Sequence, residues 1–107
     1  ANVFALIDGA WLTPPLDVGI LSGITRKTII ALCNENKLSF EEKILWPQDL
    51  YRANEIFVCS TMRELMPIVT IDGKLVDKGS VGTNTKNLLT LYRQRVEGET
   101  KSWEKGV

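Results

Sequence analysis

The residues best suited to chemistry lie at the start of a predicted helix, in the segment Leu21-Ser22-Gly23-Ile24-Thr25-Arg26. The first N–H groups of a helix have no partner inside the helix, and the helix dipole favours an anion beside them. A threonine hydroxyl adds one further donor. The segment therefore predicts a phosphate-binding turn, with an ordinary capped helix after a glycine turn as the alternative.

A second candidate segment, residues 58–64, follows a predicted strand. The apolar strand ends in two hydroxyl residues, Ser60 and Thr61, and loops at strand ends are common ligand sites. Both hydroxyls can donate to a phosphate, and the planar guanidinium of Arg63 suits a carboxylate. The alternative is a polar turn with a solvated arginine, and these residues taken alone favour it.

The sequence contains no histidine, which excludes several kinds of site. A Ser-His-Asp triad, a Cys-His pair and histidine-ligated zinc all require that residue. Lys74, Lys78 and Lys86 lack the buried, apolar neighbourhood that activates a covalent lysine, so we interpret them as surface charges. We predict no metal site, and any chemistry would depend on a borrowed organic cofactor.

Composition describes an ordinary globular domain of 107 residues, 44% hydrophobic and 24% charged. Basic and acidic residues both number 13, so the zero net charge gives no electrostatic case for nucleic acid or an anionic membrane. No apolar run approaches the ~20 residues of a bilayer span. The spacing of Cys33 and Cys59 predicts free thiols and a reducing compartment. We expect a cytoplasmic protein, with an organelle matrix as the alternative.

The order of predicted elements indicates a mixed α/β (α+β) fold with two main helices. Asp8-Gly9 and Asp72-Gly73 each lie between apolar runs and predict hairpins, because tight turns require positive φ. The other predicted elements are a helix capped by Thr25 and ending near Asn36, a strand from Glu41 to Trp46, a short helix from Pro47, and a buried strand from Glu55 to Cys59.

The last predicted helix begins at a Thr83 or Thr85 cap and ends at a Gly98 C-cap. Its apolar face carries Leu88, Leu91, Tyr92 and Val96. We predict one domain over residues 1–98 and a polar tail over residues 99–107.

Together these segments resemble the C-terminal domain of class IV (fold-type IV) pyridoxal-phosphate enzymes. That group includes branched-chain and D-amino-acid aminotransferases and aminodeoxychorismate lyase. The matching motifs, in family order, are Asn2-Val3-Phe4, Leu12-Thr13-Pro14-Pro15-Leu16, residues 19–26, Ala53-Asn54-Glu55-Ile56-Phe57, residues 61–68, Ile71-Asp72-Gly73 and residues 82–86. The resemblance implies the D-amino-acid-aminotransferase-like fold, a mixed sheet or pseudo-barrel, and pyridoxal 5'-phosphate as cofactor.

The resemblance also assigns cofactor-binding roles. Leu21 would pack on one face of the cofactor ring, and Gly23 would form the turn. The amides of Ile24 and Thr25, with the Thr25 hydroxyl, would hold the phosphate. Thr61, next to Ser60, would hold it from the other side.

For the substrate, the resemblance implies that the amides of Met62 and Arg63 face the carboxylate. Ser60 stands where the family usually has glycine, and Arg63 stands where small residues are common. The arginine would fill the substrate pocket or add a charge to it.

No catalytic residue of the family falls in this chain. The resemblance places the Schiff-base lysine, a phosphate-binding arginine and a glutamate that pairs with the pyridine nitrogen all upstream of Ala1. We therefore expect a C-terminal fragment, whose parent would be a homodimeric, branched-chain-like transaminase acting on amino acids and 2-oxo acids. The alternatives are an aminodeoxychorismate lyase and a non-catalytic binding or assembly domain.

Overall fold

A five-stranded mixed sheet forms the centre of the computed structural model, which describes residues 2–15, 24–60 and 65–105, with side chains described as far as Gly98. Its strands are β1 (Asn2–Ile7), β2 (Ala10–Thr13), β3 (Phe40–Glu42), β4 (Glu55–Cys59) and β5 (Met66–Ile68). They lie in the order β3-β2-β1-β4-β5, with β2 and β3 parallel and the other neighbours antiparallel. The predicted mixed fold is confirmed.

Further elements cover this sheet. The helices are α1 (Ile24–Glu35), α2 (Pro47–Tyr51) and α3 (Thr83–Lys105), and a small second sheet pairs β6 (Thr70–Ile71) with β7 (Lys74–Leu75). Within the described ranges, no helix has the length and apolar character needed to cross a membrane.

Both predicted hairpins are present. Asp8 and Gly9 have φ values of 51° and 80°, and Asp72 and Gly73 have values of 50° and 77°. Two consecutive residues with positive φ give a turn whose twist matches that of the flanking strands. The Asp-Gly pairs therefore fix the connections β1–β2 and β6–β7.

The alternation of β1 divides the core between the two faces of the sheet. Phe4 and Leu6 pack in one cluster with apolar side chains of α1 and α3. Ala5 and Ile7 pack in the other, with side chains from α2 and the second sheet. A strand buried on both faces is typical of a sheet covered by other elements on each side.

Aromatic rings order the cluster beneath α1 and α3. The rings of Phe4 and Phe57 stack with centroids 4.9 Å apart, and Trp11 meets Phe57 edge-on at 5.0 Å. Such pairs stabilise a core beyond the area that they bury. Trp11 is therefore a packing residue of this cluster.

The predicted strand from Glu41 to Trp46 is shorter in the structure. β3 covers only Phe40–Glu42, because its partner β2 ends at Thr13 and two prolines follow. Ile44 and Trp46 lie beyond this ladder and are each 58% exposed.

The predicted C-cap at Gly98 is also wrong, because α3 continues to Lys105. Gly98 is exposed, and an added Cβ there would meet no atom within 4 Å. A single glycine lowers helix stability by about 1 kcal/mol relative to alanine, which does not stop a long helix.

Candidate functional site

The predicted phosphate-binding turn lies where α1 begins. Thr25 is the second residue of α1 and its side chain is buried. Its hydroxyl donates to the carbonyl oxygen of Ser60 at 3.0 Å, and it lies 3.3 Å from the hydroxyl of Tyr92. Thr25 therefore does not cap its own helix as predicted, because its hydroxyl is used for contacts with other elements.

The contact with Ser60 joins the two predicted parts of the site. Ser60 directly follows β4, and Thr25 lies 35 residues earlier in the chain. The structure thus brings the beginning of α1 to the end of β4, as a shared site requires. Ile24, at the tip of α1, is 73% exposed. The other predicted site residues lie outside the described ones: Leu21, Gly23, Thr61, Met62 and Arg63.

The start of α1 suits a bound anion. Its first turn contains no acidic residue, and α1 is twelve residues long, so its terminal N–H groups and dipole are fully developed. The available donors are therefore backbone amides, which commonly bind a phosphate at the start of a helix. The Thr25 hydroxyl adds one more donor only when its proton turns from the Ser60 carbonyl to the ligand. The described residues fit the phosphate of the implied cofactor.

The start of α3 provides a contrast, because a carboxylate of the protein already occupies it. Glu55, on β4, accepts hydrogen bonds from the backbone N–H groups of Asn84 and Thr85 at 3.2 and 2.7 Å. The side chains of the same two residues also donate to Glu55, each at 2.7 Å. The cap of this helix is therefore supplied by β4 and not by Thr85 as predicted, because the Thr85 hydroxyl donates to Glu55.

Gly82 allows this arrangement by close approach. A Cβ at Gly82 would lie 2.0 Å from the carboxyl carbon of Glu55, which is closer than real atoms approach. Burial of the Glu55 carboxyl opposes its ionisation, but the hydrogen bonds from Asn84 and Thr85 outweigh burial and lower its pKa. Glu55 is therefore a structural anion that holds α3 against β4.

Arg26 fixes the other side of α1. Its side chain is 4% exposed, Nη2 donates to the carbonyl of Pro14 at 3.3 Å, and the same atom lies 3.7 Å from a carboxylate oxygen of Glu42. Its buried Nε has no hydrogen-bond partner among the described residues. Arg26 thus anchors the first turn of α1 to the ends of β2 and β3.

Two clefts lie away from the start of α1. One of about 450 Å³ lies between the end of α1 and the middle of α3, and one of about 500 Å³ lies beside Gly82. Neither is lined by Ile24, Thr25 or Ser60. Among the described residues, no group of three or more His, Cys, Asp or Glu side chains could hold a metal ion.

Sequence reasoning missed two residues of this region. Tyr92 was placed on the apolar face of α3 without a partner, although a polar tip on such a face usually indicates a hydrogen bond. Glu55 stood in an otherwise apolar buried strand, where a charge requires a partner. Its partners, Asn84 and Thr85, are 29 and 30 residues away, so no local pattern identifies them.

Comparisons with known proteins give one consistent result. The family model described as amino-transferase class IV matches residues 1–71. A D-alanine aminotransferase of Bacillus licheniformis is 37% identical over 94% of this chain, and the branched-chain-amino-acid aminotransferase of Escherichia coli K12 is 36% identical over 94%. The structure of the branched-chain amino acid aminotransferase from Thermobaculum terrenum in its PLP form is 38% identical over 91% of this chain, with a TM-score of 0.83.

The chain spans about a third of the length of these proteins. It covers 35% of the Bacillus protein, 32% of the Escherichia coli protein and 32% of the Thermobaculum chain. The matched region therefore corresponds to one part of a longer polypeptide in each of these relatives.

Proposed function

The chain belongs to the class IV amino-transferase family, and from that premise we propose that it is the C-terminal, cofactor-binding domain of a pyridoxal-phosphate-dependent amino-acid transaminase. The parent enzyme transfers an amino group between an amino acid and a 2-oxo acid. The observation that carries the proposal is the meeting of Thr25, at the start of α1, with Ser60, at the end of β4.

The described residues would act by binding and orienting the cofactor. The amides in the first turn of α1 hold the phosphate, since they supply donors and no competing carboxylate. The Thr25 hydroxyl joins them when its one proton turns from the Ser60 carbonyl to the phosphate. Arg26 keeps that turn in place through Pro14 and Glu42. When bound, pyridoxal phosphate supplies the electron sink that labilises bonds at the substrate α-carbon.

The proposal also covers residues outside the described ranges. Leu21 packs on the cofactor ring and Gly23 shapes the phosphate turn. Thr61 donates to the phosphate, while the amides of Met62 and Arg63 face the substrate carboxylate. Support for these roles comes from the order of motifs shared with the family, and each can be tested by substitution in the full-length protein.

We propose branched-chain amino acids as the substrate class. The support is the similarity to branched-chain aminotransferases over most of the chain. The D-alanine aminotransferase is equally similar, so D-amino acids are the second candidate class. Both candidates need the same phosphate site, because it belongs to the cofactor and not to the substrate.

The decisive experiment uses the full-length product of the gene that encodes this chain. We expect that product to contain a lysine upstream of residue 1 that becomes covalently labelled when borohydride is added with pyridoxal phosphate. We also expect it to convert 2-oxoglutarate and a branched-chain amino acid into glutamate and the matching oxo acid. A product that binds no pyridoxal phosphate would overturn the proposal. Pyruvate and aminobenzoate formed from aminodeoxychorismate would identify the lyase instead.

The assembly and location of the full-length protein stay predictions. We expect a homodimer, which sedimentation equilibrium would test, and a cytoplasmic location, which fractionation would test. The division into a domain over residues 1–98 and a tail over residues 99–107 likewise stays a prediction.

A further inference from the structure

Tyr92, on α3, reaches the predicted phosphate site. It is partly buried and packs against the core cluster beneath α1 and α3, and its hydroxyl lies 3.3 Å from Oγ1 of Thr25. Neither the family motifs in the sequence nor the pattern of the helix assigns Tyr92 a role at this site. Its position raises the question of what its hydroxyl does there.

Counting protons fixes the direction of the hydrogen bonds. A threonine hydroxyl has one proton and two acceptor positions, and a carbonyl oxygen can only accept. Thr25 therefore uses its proton in the bond to the Ser60 carbonyl. In the contact between Thr25 and Tyr92, the proton must then come from Tyr92. The order of donation is Tyr92 to Thr25 to Ser60.

This chain of donation determines where the Thr25 proton can point. The lone pair occupied by Tyr92 faces α3, so the Thr25 proton is directed away from α3 and toward the end of β4. A phosphate bound at the start of α1 would accept this proton in place of the Ser60 carbonyl, while the bond from Tyr92 to Thr25 is kept. A donor whose own oxygen accepts a hydrogen bond is also polarised to donate more strongly.

We propose that Tyr92 is a positioning residue for the cofactor phosphate, acting through Thr25 and not by touching the cofactor. The inference rests on the proposed function, because it assumes that the phosphate lies at the start of α1. It adds α3 to the site. Glu55, the first residue of β4, caps the start of α3. Tyr92, further along α3, contacts Thr25, whose hydroxyl bonds to Ser60 just beyond the other end of β4.

The test compares variants of the full-length gene product by titration with pyridoxal phosphate and with pyridoxal, which lacks the phosphate. We expect Tyr92→Phe to weaken binding of pyridoxal phosphate about twofold to tenfold, the range for one modest hydrogen bond. Binding of pyridoxal should not change. Tyr51→Phe is the matched control, since it removes a hydroxyl that bonds to Asp72 on the surface.

A double-mutant cycle separates positioning from a general structural effect. Thr25→Val removes the hydroxyl through which Tyr92 acts, so Tyr92→Phe should have no further effect on affinity in that background. Thr25→Ser keeps the hydroxyl, so Tyr92→Phe should again weaken binding. Urea unfolding of each variant checks that the fold is retained.

Three results would overturn the inference alone. They are an equal loss of affinity for pyridoxal, the same loss with and without the Thr25 hydroxyl, and an unchanged affinity of Tyr92→Phe for pyridoxal phosphate. If the unsubstituted protein binds no pyridoxal phosphate, the proposed function fails and this inference fails with it.

Discussion

Glu55 places a buried carboxylate in a strand whose other buried side chains are apolar. A buried charge is tolerated only when its oxygens are hydrogen-bonded, and Glu55 accepts bonds from the backbone and side chains of both Asn84 and Thr85. The first turn of a helix is well suited to supply them. A single residue therefore links β4 to α3. Its contribution to the stability of the fold depends on its negative charge.

The charge of Glu55 can be tested by Glu55→Gln. The amide has one acceptor oxygen in place of two and presents N–H groups to the donors of Asn84 and Thr85. We expect the free energy of unfolding to fall by about 1.5–3 kcal/mol, the range for hydrogen bonds to a charged group. The measurement is urea unfolding at pH 7.

The same variant tests the pH dependence of stability. The pKa of folded Glu55 is below its ordinary value of 4.5, so its contribution is present above that value and is lost as pH falls through the folded pKa. The gap in unfolding free energy between the original protein and Glu55→Gln should therefore narrow in acid. A gap that stays constant from pH 7 to pH 3 would contradict this explanation.

A second prediction about single residues concerns the two cysteines. Both are free and buried, and burial raises the pKa of Cys33 and of Cys59 to about 11. Since only the thiolate is nucleophilic, a thiol reagent at pH 8 should label neither residue in the folded protein and both in urea. The raised values also mean that stability falls as pH rises from about 8.5, the unfolded thiol pKa, toward 11.

At the scale of the elements, α3 is held by a close contact with the sheet. Its first residue follows Gly82, where the chain passes against the Glu55 carboxyl group. An ion pair between Arg95 and Glu35 at 2.5 Å joins α3 to α1. Because this pair is partly exposed, it contributes little, and the contact at Gly82 is the more critical of the two.

Gly82→Ala should therefore destabilise the protein. The added methyl group would overlap the Glu55 carboxyl group, which cannot move without losing its hydrogen bonds to Asn84 and Thr85. We expect a loss of about 1–3 kcal/mol in the free energy of unfolding, measured in urea.

Gly98→Ala is the matched control on the same helix. Open space surrounds Gly98, and alanine forms helix better than glycine. We expect Gly98→Ala to raise the free energy of unfolding by about 0.5–1 kcal/mol. If both substitutions changed stability by the same amount and in the same direction, the close approach at Gly82 would not explain the first result.

At the scale of the whole molecule, β1 connects two hydrophobic clusters, one on each face of the sheet. It pairs with both β2 and β4, so neither cluster can lose its packing without disturbing the central ladder. The described structure should therefore unfold as one cooperative unit.

Phe57→Ala tests this cooperativity. Phe57 is fully buried and contacts both Phe4 and Trp11. Removing its ring should therefore lower the free energy of unfolding by about 3–5 kcal/mol. Near-ultraviolet and far-ultraviolet circular dichroism should show coincident urea transitions at a lower midpoint. Separate transitions by the two probes would show that aromatic packing and secondary structure are lost in different steps, which would contradict a single cooperative unit.

The sequence by itself determined the features that depend on neighbouring residues. The Asp-Gly pairs predicted both hairpins, and the apolar run beginning at Glu55 predicted a buried strand, which is β4. The glycine before α1 and the threonine in its first turn predicted a helix start suited to phosphate. The order of motifs predicted the family, which the comparisons confirmed.

Only the tertiary structure decided which distant groups meet. Thr25 was predicted to cap its own helix, yet its hydroxyl bonds to Ser60 and contacts Tyr92. α3 was predicted to be capped by its own threonines, yet Glu55 supplies the carboxylate. A side-chain hydrogen bond depends on which strands and helices are adjacent, and that adjacency is set by packing across the sheet, which no local pattern encodes.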